Sequence, residues 1–288
     1  MIPKFFFVLF LIPYFLLIPW KKYFFLLEFQ RGNQLLLSIF EIEEEVFSGR
    51  VPLIPKIFKY KFYSPLLESF LLYSRQFGMP LFNFLGEFKH QLGKDLQMER
   101  KLLKELRDGV VQFIFIGVIS FGFWTWSHIF LGLKISYSLN FFLAFFLQLL
   151  GLIIFLCCYY VFRKKLLGTF NTVFQSYYLF WGLSSVGLPV VEVLGACQIL
   201  ELRPSNGEQR ILHRRMESLV TSWKDKGFPV KKSVEDVISE LWDLYNVKFQ
   251  VFRRNLKIVN FLIMALFYLS AFFILLMDFM GVFLIELK

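Results

Sequence analysis

Three long runs without a charged side chain constrain this chain more than any other feature of its sequence. Residues 110–133, 139–162 and 258–277 contain no Asp, Glu, Lys or Arg. An α-helix rises 1.5 Å per residue, so about twenty apolar residues cover the roughly 30 Å hydrocarbon core of a bilayer. We therefore predict three transmembrane helices. The first two form a hairpin over residues 110–162, and the third belongs to a C-terminal segment, residues 258–288.

Composition supports the assignment to a membrane protein. The chain of 288 residues is 57% hydrophobic, with a mean hydropathy of +0.56. A soluble protein of this length could not bury so much apolar surface. A further apolar stretch, residues 5–20, is short for a complete span and contains Pro13 and Pro19. We expect residues 1–27 to form an N-terminal membrane anchor, and whether residues 5–20 cross the bilayer stays open.

The positive charges predict the orientation of the chain. Residues 21–109 contain fourteen Lys and Arg and residues 163–257 contain fifteen, whereas the hairpin turn has only Lys134. Cytoplasmic loops of membrane proteins carry an excess of Lys and Arg. We therefore expect both charged segments in the cytoplasm of a bacterial cell, with the protein in its inner membrane.

Both charged segments carry the sequence pattern of packed helices. In residues 81–106 apolar side chains recur at steps of three and four, as on one face of a helix, and residues 234–245 repeat this spacing. We predict an all-α, polytopic membrane protein. Residues 28–109 and 163–257 would form cytoplasmic domains, each an antiparallel bundle of helices.

Each charged segment also contains junctions at which a glycine ends one helix and a proline starts the next. The junction at residues 78–80 precedes the run at residue 110 by nearly the distance that separates residues 227–229 from the run at residue 258. The predicted junction residues are Gly78, Pro80, Gly187, Pro189, Gly227 and Pro229. Their matched order indicates an internal duplication, with residues 28–109 as a divergent or partial copy.

The layout and the second charged segment resemble the F-domain platform proteins of type II secretion and type IV pilus systems, most closely those of tight-adherence pili. The resemblance is carried by Gly187-Leu188-Pro189-Val190-Val191-Glu192, by Gly227-Phe228-Pro229-Val230 and by Arg253-Arg254 before the last run. It implies a non-enzymatic inner-membrane platform that couples a hexameric secretion ATPase to the assembly of pilin or pseudopilin subunits. It also implies F-domain-like bundles, and either a paralogous platform subunit or a homo-oligomer.

The sequence contains no motif for chemistry. It lacks the Gly-x-x-x-x-Gly-Lys-Ser/Thr loop that binds phosphates, so we expect neither an ATPase nor another enzyme, and no cofactor or metal. Cys157, Cys158 and Cys197 are expected as buried packing residues, since no ligands accompany them at metal-binding spacing. His128 is expected at the outer membrane interface, with a proton relay as the alternative.

Two groups of charged residues are candidate surfaces. The acidic run of Glu41, Glu43, Glu44 and Glu45 has the pattern of a solvated helix face, with a bound cation or a basic partner as the alternative. The candidate partner-docking patch is basic and consists of Arg210, Arg214, Arg215, Lys231 and Lys232. Such a patch fits an acidic protein surface or anionic membrane lipids, and ordinary positive-inside charge explains it equally well. Nucleic acid is not expected as a partner, because no binding motif accompanies these charges.

Three alternatives to a platform protein follow from the same sequence. The first is the membrane subunit of a transporter, although the three runs lack the charged residues that a polar path usually needs. A membrane enzyme is the second, and it would require clustered His, Asp, Glu or Cys at the membrane boundary. The third is a sensor scaffold.

Overall fold

The computed structural model describes residues 28–48, 58–78, 81–132, 139–184, 186, 188–203 and 207–286. Within these ranges every regular element is helical and no strand occurs, which confirms the predicted all-α class. The predicted anchor at residues 5–20 and the hairpin turn at residues 134–138 lie outside the described residues. The same is true of two predicted junction residues, Pro80 and Gly187.

The described helices follow one another with short connections. They are α1 (28–47), α2 (Tyr63–Phe77), α3 (Leu81–Phe130), α4 (Leu139–Leu167), α5 (Phe170–Leu183), α6 (Val190–Cys197), α7 (Gly207–Lys226) and α8 (Lys231–Ile263). A single 3₁₀ turn, Ile199–Glu201, lies between α6 and α7. The π-helical segment Met264–Tyr268 leads from α8 into α9 (Leu269–Glu286). The last part of the chain is therefore helical without a break, as the absence of Gly and Pro before Gly281 predicts.

The chain divides into two compact units, each made of two separate stretches. The first, which we call the bundle unit, contains residues 1–101 and 165–249. The second, the apolar unit, contains residues 102–164 and 250–288. The sequence pattern assigns residues 28–109 and 163–257 to separate domains, whereas the structure places most of both in one unit. Helices α3 and α8 contribute residues to both units.

An aromatic core explains why the two charged segments form one unit. The ring of Phe174 on α5 lies 5.1 Å from that of Phe62, next to α2, and 4.4 Å from that of Trp242 on α8. Phe70 and Phe84 stack with ring centroids 3.6 Å apart. Each fully buried aromatic side chain contributes about 1.5–3 kcal/mol relative to exposure. Neither segment could bury these rings alone, so they fold together.

Two of the predicted glycine junctions have the same geometry. Gly78 ends α2 with φ 66°, and its N–H donates to the carbonyl of Ser74. Gly227 follows α7 with φ 65°, and its N–H donates to the carbonyl of Trp223, again four residues back. Positive φ favours glycine because it has no Cβ. The prediction of a helix stop at both glycines is confirmed, and the matched turns agree with an internal duplication.

The apolar unit carries the membrane character of the chain. Three helical stretches of the described chain are long and apolar enough to cross a membrane: Phe84–Phe130, Leu139–Leu183 and Lys231–Leu284. Large side chains in them point outward, with Phe115, Phe146 and Phe261 each more than 60% exposed. An outward apolar surface of this kind is stable against lipid and unfavourable against water. The chain is therefore a membrane protein.

A close approach joins α4 to the π-helical segment inside the apolar unit. A Cβ built on Gly151 would lie only 2.9 Å from Cβ of Phe267, so no larger residue fits there without a shift. The neighbouring Tyr268 is 1% exposed, and its ring stacks on Phe113 of α3 at 5.0 Å. Short π-helical segments widen one turn of a helix and are frequent at functional sites.

Candidate functional site

A buried ionic cluster lies in the bundle unit, where the segment before α2 contacts α3 and α8. Nζ of Lys61 is 2.7 Å from Oδ2 of Asp95 and 2.8 Å from Oε1 of Glu99. The hydroxyl of Tyr60 donates to Oδ2 of Asp95 at 2.9 Å, and that of Tyr245 donates to Oδ1 at 3.1 Å. We call these five residues the lysine cluster. It connects three parts of the chain that are distant in sequence.

Local structure holds each charge in place. Asp95 and Glu99 are four residues apart on α3 and therefore lie on one face, the same face as the fully buried Leu92 and Leu102. Lys61 has φ 42°, a left-handed conformation that costs a non-glycine residue about 1–3 kcal/mol. Such a backbone persists only where its surroundings compensate for it, and here the two carboxylates do so.

The segment before α2 is also fixed by hydrogen bonds to a serine at the start of that helix. The Ser64 hydroxyl accepts a hydrogen bond from the backbone N–H of Tyr60 at 2.6 Å and donates one to the carbonyl of Phe58 at 2.5 Å. The sequence predicts Ser64 as the cap of α2, whereas the helix begins one residue earlier, at Tyr63. Its side chain instead fixes the turn that carries Lys61.

Burial and charge act in opposite directions on the lysine. Burial by itself lowers the pKa of Lys61, but the carboxylates of Asp95 and Glu99 outweigh it and hold that pKa well above its usual value. Burial also raises the pKa of Tyr60 well above the ordinary tyrosine value, so its hydroxyl stays neutral and continues to donate. The cluster therefore keeps its hydrogen-bond pattern across the physiological pH range. Its chemistry is that of a structural clamp.

The bundle unit also has an open groove of about 530 Å³ between α3, α5 and α8. Tyr178 and Trp242 form part of its wall, and the indole N–H of Trp242 donates to the Tyr178 hydroxyl at 2.8 Å. Trp181 donates to Oε1 of Glu235 at 2.9 Å. The volume is that of a small-molecule site. The charged lining residues, however, include both signs: Glu87, Lys94, Lys231, Glu235 and Asp243. This lining favours no single class of ligand.

The remaining predicted junction residues are turn positions. Pro189 precedes the first residue of α6 and has the extended conformation of a helix cap, with ψ 134°. Pro229 is exposed and is followed by the buried Val230, just before α8. Their role is to start helices, as the sequence predicts.

The structure separates the predicted docking patch into two surfaces. All five residues are exposed: Arg210, Arg214, Arg215, Lys231 and Lys232. The three arginines lie in the first half of α7, while the two lysines follow its far end, and a helix of 20 residues is about 30 Å long. Arg215 is engaged with Glu240, and Nζ of Lys231 lies 5.6 Å from the centre of the Trp181 ring.

A polar cluster occurs inside the apolar unit, and the sequence pattern misplaces it. The third uncharged run ends at residue 277, with Asp278 expected beyond the span, but α9 continues and Asp278 is only 9% exposed. Trp124 Nε1 donates to its Oδ2 at 3.2 Å, and Asn140 Nδ2 donates to its Oδ1 at 3.3 Å. His128 is not at a solvated interface. It is 1% exposed, and its ring lies 4.2 Å from that of Trp124.

Polar contacts also join α3 and α8 in each unit. In the bundle unit the contact is that of Tyr245 with Asp95. In the apolar unit Arg253 binds Oε1 of Glu105, with a 2.8 Å bond from Nε, and Asn260 Nδ2 donates to Oε1 of Gln112 at 2.9 Å. The same two helices are thus cross-linked in both halves of the fold.

Sequence reasoning missed the lysine cluster, although a signal was available. Asp95 and Glu99 interrupt the apolar stripe of α3 at positions where a leucine is expected, and buried carboxylates require a charged partner. The expectation for the cysteines needs correction as well. Cys197 is buried, and burial raises its pKa to about 12, but Cys157 is exposed on the outward surface of α4. The reason is that the outward surface of this unit is itself apolar.

Nothing among the described residues brings three or more His, Cys, Asp or Glu side chains together as a metal site. Comparison of the chain with protein-family models, with curated proteins and with solved structures finds no match.

Proposed function

We propose that this protein is a non-enzymatic inner-membrane platform of a type II secretion-like or tight-adherence pilus machine. In this role the bundle unit lies in the cytoplasm and contacts a hexameric secretion ATPase. The apolar unit lies in the bilayer, beside the pilin or pseudopilin subunits that are assembled there. The platform passes the movement of the ATPase to those subunits.

The observation that carries this proposal is the continuity and cross-linking of α3 and α8. Each helix begins at a Gly-x-Pro junction in the bundle unit and continues into the apolar unit. The lysine cluster binds them together in the first unit, and the Arg253–Glu105 pair does so in the second. A helix that is packed along its length moves as a rod, so such a pair suits mechanical coupling. The Lys and Arg content of residues 21–109 and 163–257 supports a cytoplasmic position for the bundle unit.

The proposal is tested by purifying the tagged full-length protein from its native membrane in a mild detergent and identifying the proteins that accompany it. Recovery of a secretion-type ATPase together with a pilin-like protein is the expected result. Recovery of the protein alone, or with an ATPase of the ABC class and a solute-binding protein, contradicts it. Deleting residues 163–257 is unsuitable as a control, because those residues supply half of the shared aromatic core.

A point substitution in α8 tests the coupling itself. Lys248→Pro interrupts the helix and costs about 3 kcal/mol in helix stability, so it should abolish pilus or pseudopilus assembly. The matched control is Lys248→Ala, which also removes the 2.5 Å ion pair with Glu208 but keeps the helix, and should assemble normally. Full assembly by a stably inserted Lys248→Pro variant would show that no rigid helix is needed.

A specific observation favours the membrane subunit of a transporter as the second candidate. Ionisable groups buried within membrane segments often mark ion or proton pathways, and Asp278 lies near the buried His128 in the apolar unit. Proton flux into proteoliposomes loaded with a pH-sensitive dye, abolished by Asp278→Asn and kept by Glu105→Gln, would support transport. Equal and negligible flux from all three proteins would leave the platform proposal without this rival.

A further inference from the structure

The exposed side of α1 combines carboxylates with apolar side chains. Glu43 points inward and forms an ion pair with Lys89 at 2.5 Å, whereas Glu41 and Glu44 are exposed. On the same outward side, Leu37 is 63% exposed and Phe40 is 48% exposed. We call Leu37, Phe40, Glu41 and Glu44 the acidic face of α1. An apolar and acidic surface of this kind is suited to a basic partner that also carries an apolar group.

The turn between α7 and α8 has the complementary character. Residues 224–232 contain four lysines and one aspartate, all of them exposed. Gly227 makes a tight left-handed turn that leaves Phe228 57% exposed, with Nζ of Lys226 6.0 Å from the centre of its ring. We call Lys226, Phe228, Lys231 and Lys232 the basic turn.

The headgroups of the membrane that holds the chain are too far away to neutralise the basic turn. Helix α8 runs without interruption from Lys231 to Ile263, so roughly 39 Å of helix separates Lys232 from the start of the last uncharged run. Electrostatic interactions between exposed charges are screened over about 10 Å at 0.1 M salt. A partner for the basic turn is therefore an acidic protein surface, and this chain itself carries one.

We propose that two copies of this chain associate by docking the acidic face of α1 of one copy on the basic turn of the other. Phe228 packs against Leu37 and Phe40, and the exposed glutamates pair with Lys231 and Lys232. In a two-fold symmetric pair the contact is made twice, once from each copy, which doubles its contribution. The inference is independent of the platform role, because it concerns the purified chain alone.

The oligomeric state of the full-length protein in a non-ionic detergent tests this contact. Size-exclusion chromatography with light scattering should give two chains per particle for the wild type at about 0.1 M salt and one chain at about 1 M, where screening acts over about 3 Å. Two charge-reversed variants, Glu41→Lys/Glu44→Lys and Lys231→Glu/Lys232→Glu, should each raise the dimer Kd about a hundredfold, because like charges then face one another. Combining all four substitutions restores opposite charges and should restore the dimer.

The combined variant makes the test independent of folding defects in the single variants. The matched control is Glu43→Gln, which removes the inward carboxylate and should leave the dimer unchanged. A wild type that is monomeric at every concentration overturns the proposal, as do reversed variants that dimerise like the wild type. It is also overturned if both reversed variants are folded monomers by circular dichroism and the combined variant stays monomeric.

Discussion

Substituting Lys61 by methionine tests how far the bundle unit depends on the lysine cluster. Lys61→Met keeps a side chain of similar length but removes the positive charge between Asp95 and Glu99. These carboxylates are only 1% and 6% exposed, so solvent cannot replace the lost partner. The two contacts that disappear are the ion pairs of 2.7 and 2.8 Å.

The expected effect follows from the balance of attraction and desolvation. Two unit charges 4 Å apart attract with about 4 kcal/mol at an effective dielectric constant of 20, and Lys61 makes two such pairs. Much of this attraction is offset by the cost of removing the three charges from water, which is several kcal/mol for each. The substitution removes the attraction but leaves the desolvation cost of both carboxylates. We expect the free energy of unfolding to fall by about 3–5 kcal/mol.

Urea unfolding of the full-length protein in detergent, followed by tryptophan fluorescence, measures this change. The control is Lys59→Met, which removes an exposed lysine two residues away and should change the free energy of unfolding by less than about 0.5 kcal/mol. The triple variant Lys61→Met/Asp95→Asn/Glu99→Gln should recover part of the loss, because neutral amides cost less to bury than uncompensated carboxylates. The reasoning is refuted if Lys61→Met costs less than about 1 kcal/mol, or if the triple variant is no more stable than the single one.

The remaining predictions concern alkaline pH and the packing of the apolar unit. Because the pKa of Lys61 is raised on folding, its contribution is fully present below the ordinary lysine pKa of about 10.4 and is lost as the pH rises through the higher folded value. The destabilisation by Lys61→Met should therefore be constant from pH 7 to about 10 and shrink above that, and a difference that already shrinks near pH 8 would contradict it. Gly151→Ala should lower the free energy of unfolding by about 1–3 kcal/mol, because its Cβ would lie 2.9 Å from Cβ of Phe267. Gly122→Ala is the control, since no atom lies within 4 Å of its Cβ, and equal unfolding midpoints for the two variants would show that α4 does not approach the π-helical segment so closely.

Much of the local structure could be predicted because its causes are local. The uncharged runs specify helices long enough to span a bilayer whatever surrounds them, since every backbone polar group must be satisfied within the helix. Gly78 and Gly227 specify left-handed turns through their own backbone freedom, and both are observed. The apolar stripe beginning at Leu81 likewise predicts the face of α3 that is buried, apart from the two carboxylates on it.

The candidate site could not be predicted in the same way, because its members are far apart in the chain. Lys61 and Tyr245 gain their significance only from Asp95, which lies on a different helix from either. Asp278 likewise follows its uncharged run in sequence, and its burial depends on donors from α3 and α4.

By itself, the sequence determined the all-helical class, the apolar stretches suited to a membrane and the glycine turns. Each of these follows from the hydropathy or backbone freedom of neighbouring residues. Only the tertiary structure decided that the two charged segments share one core and that a buried lysine joins them. The same holds for the separation of the basic residues into two surfaces. The physical reason is that burial, and with it the energy of a charge, depends on which distant residues surround a side chain.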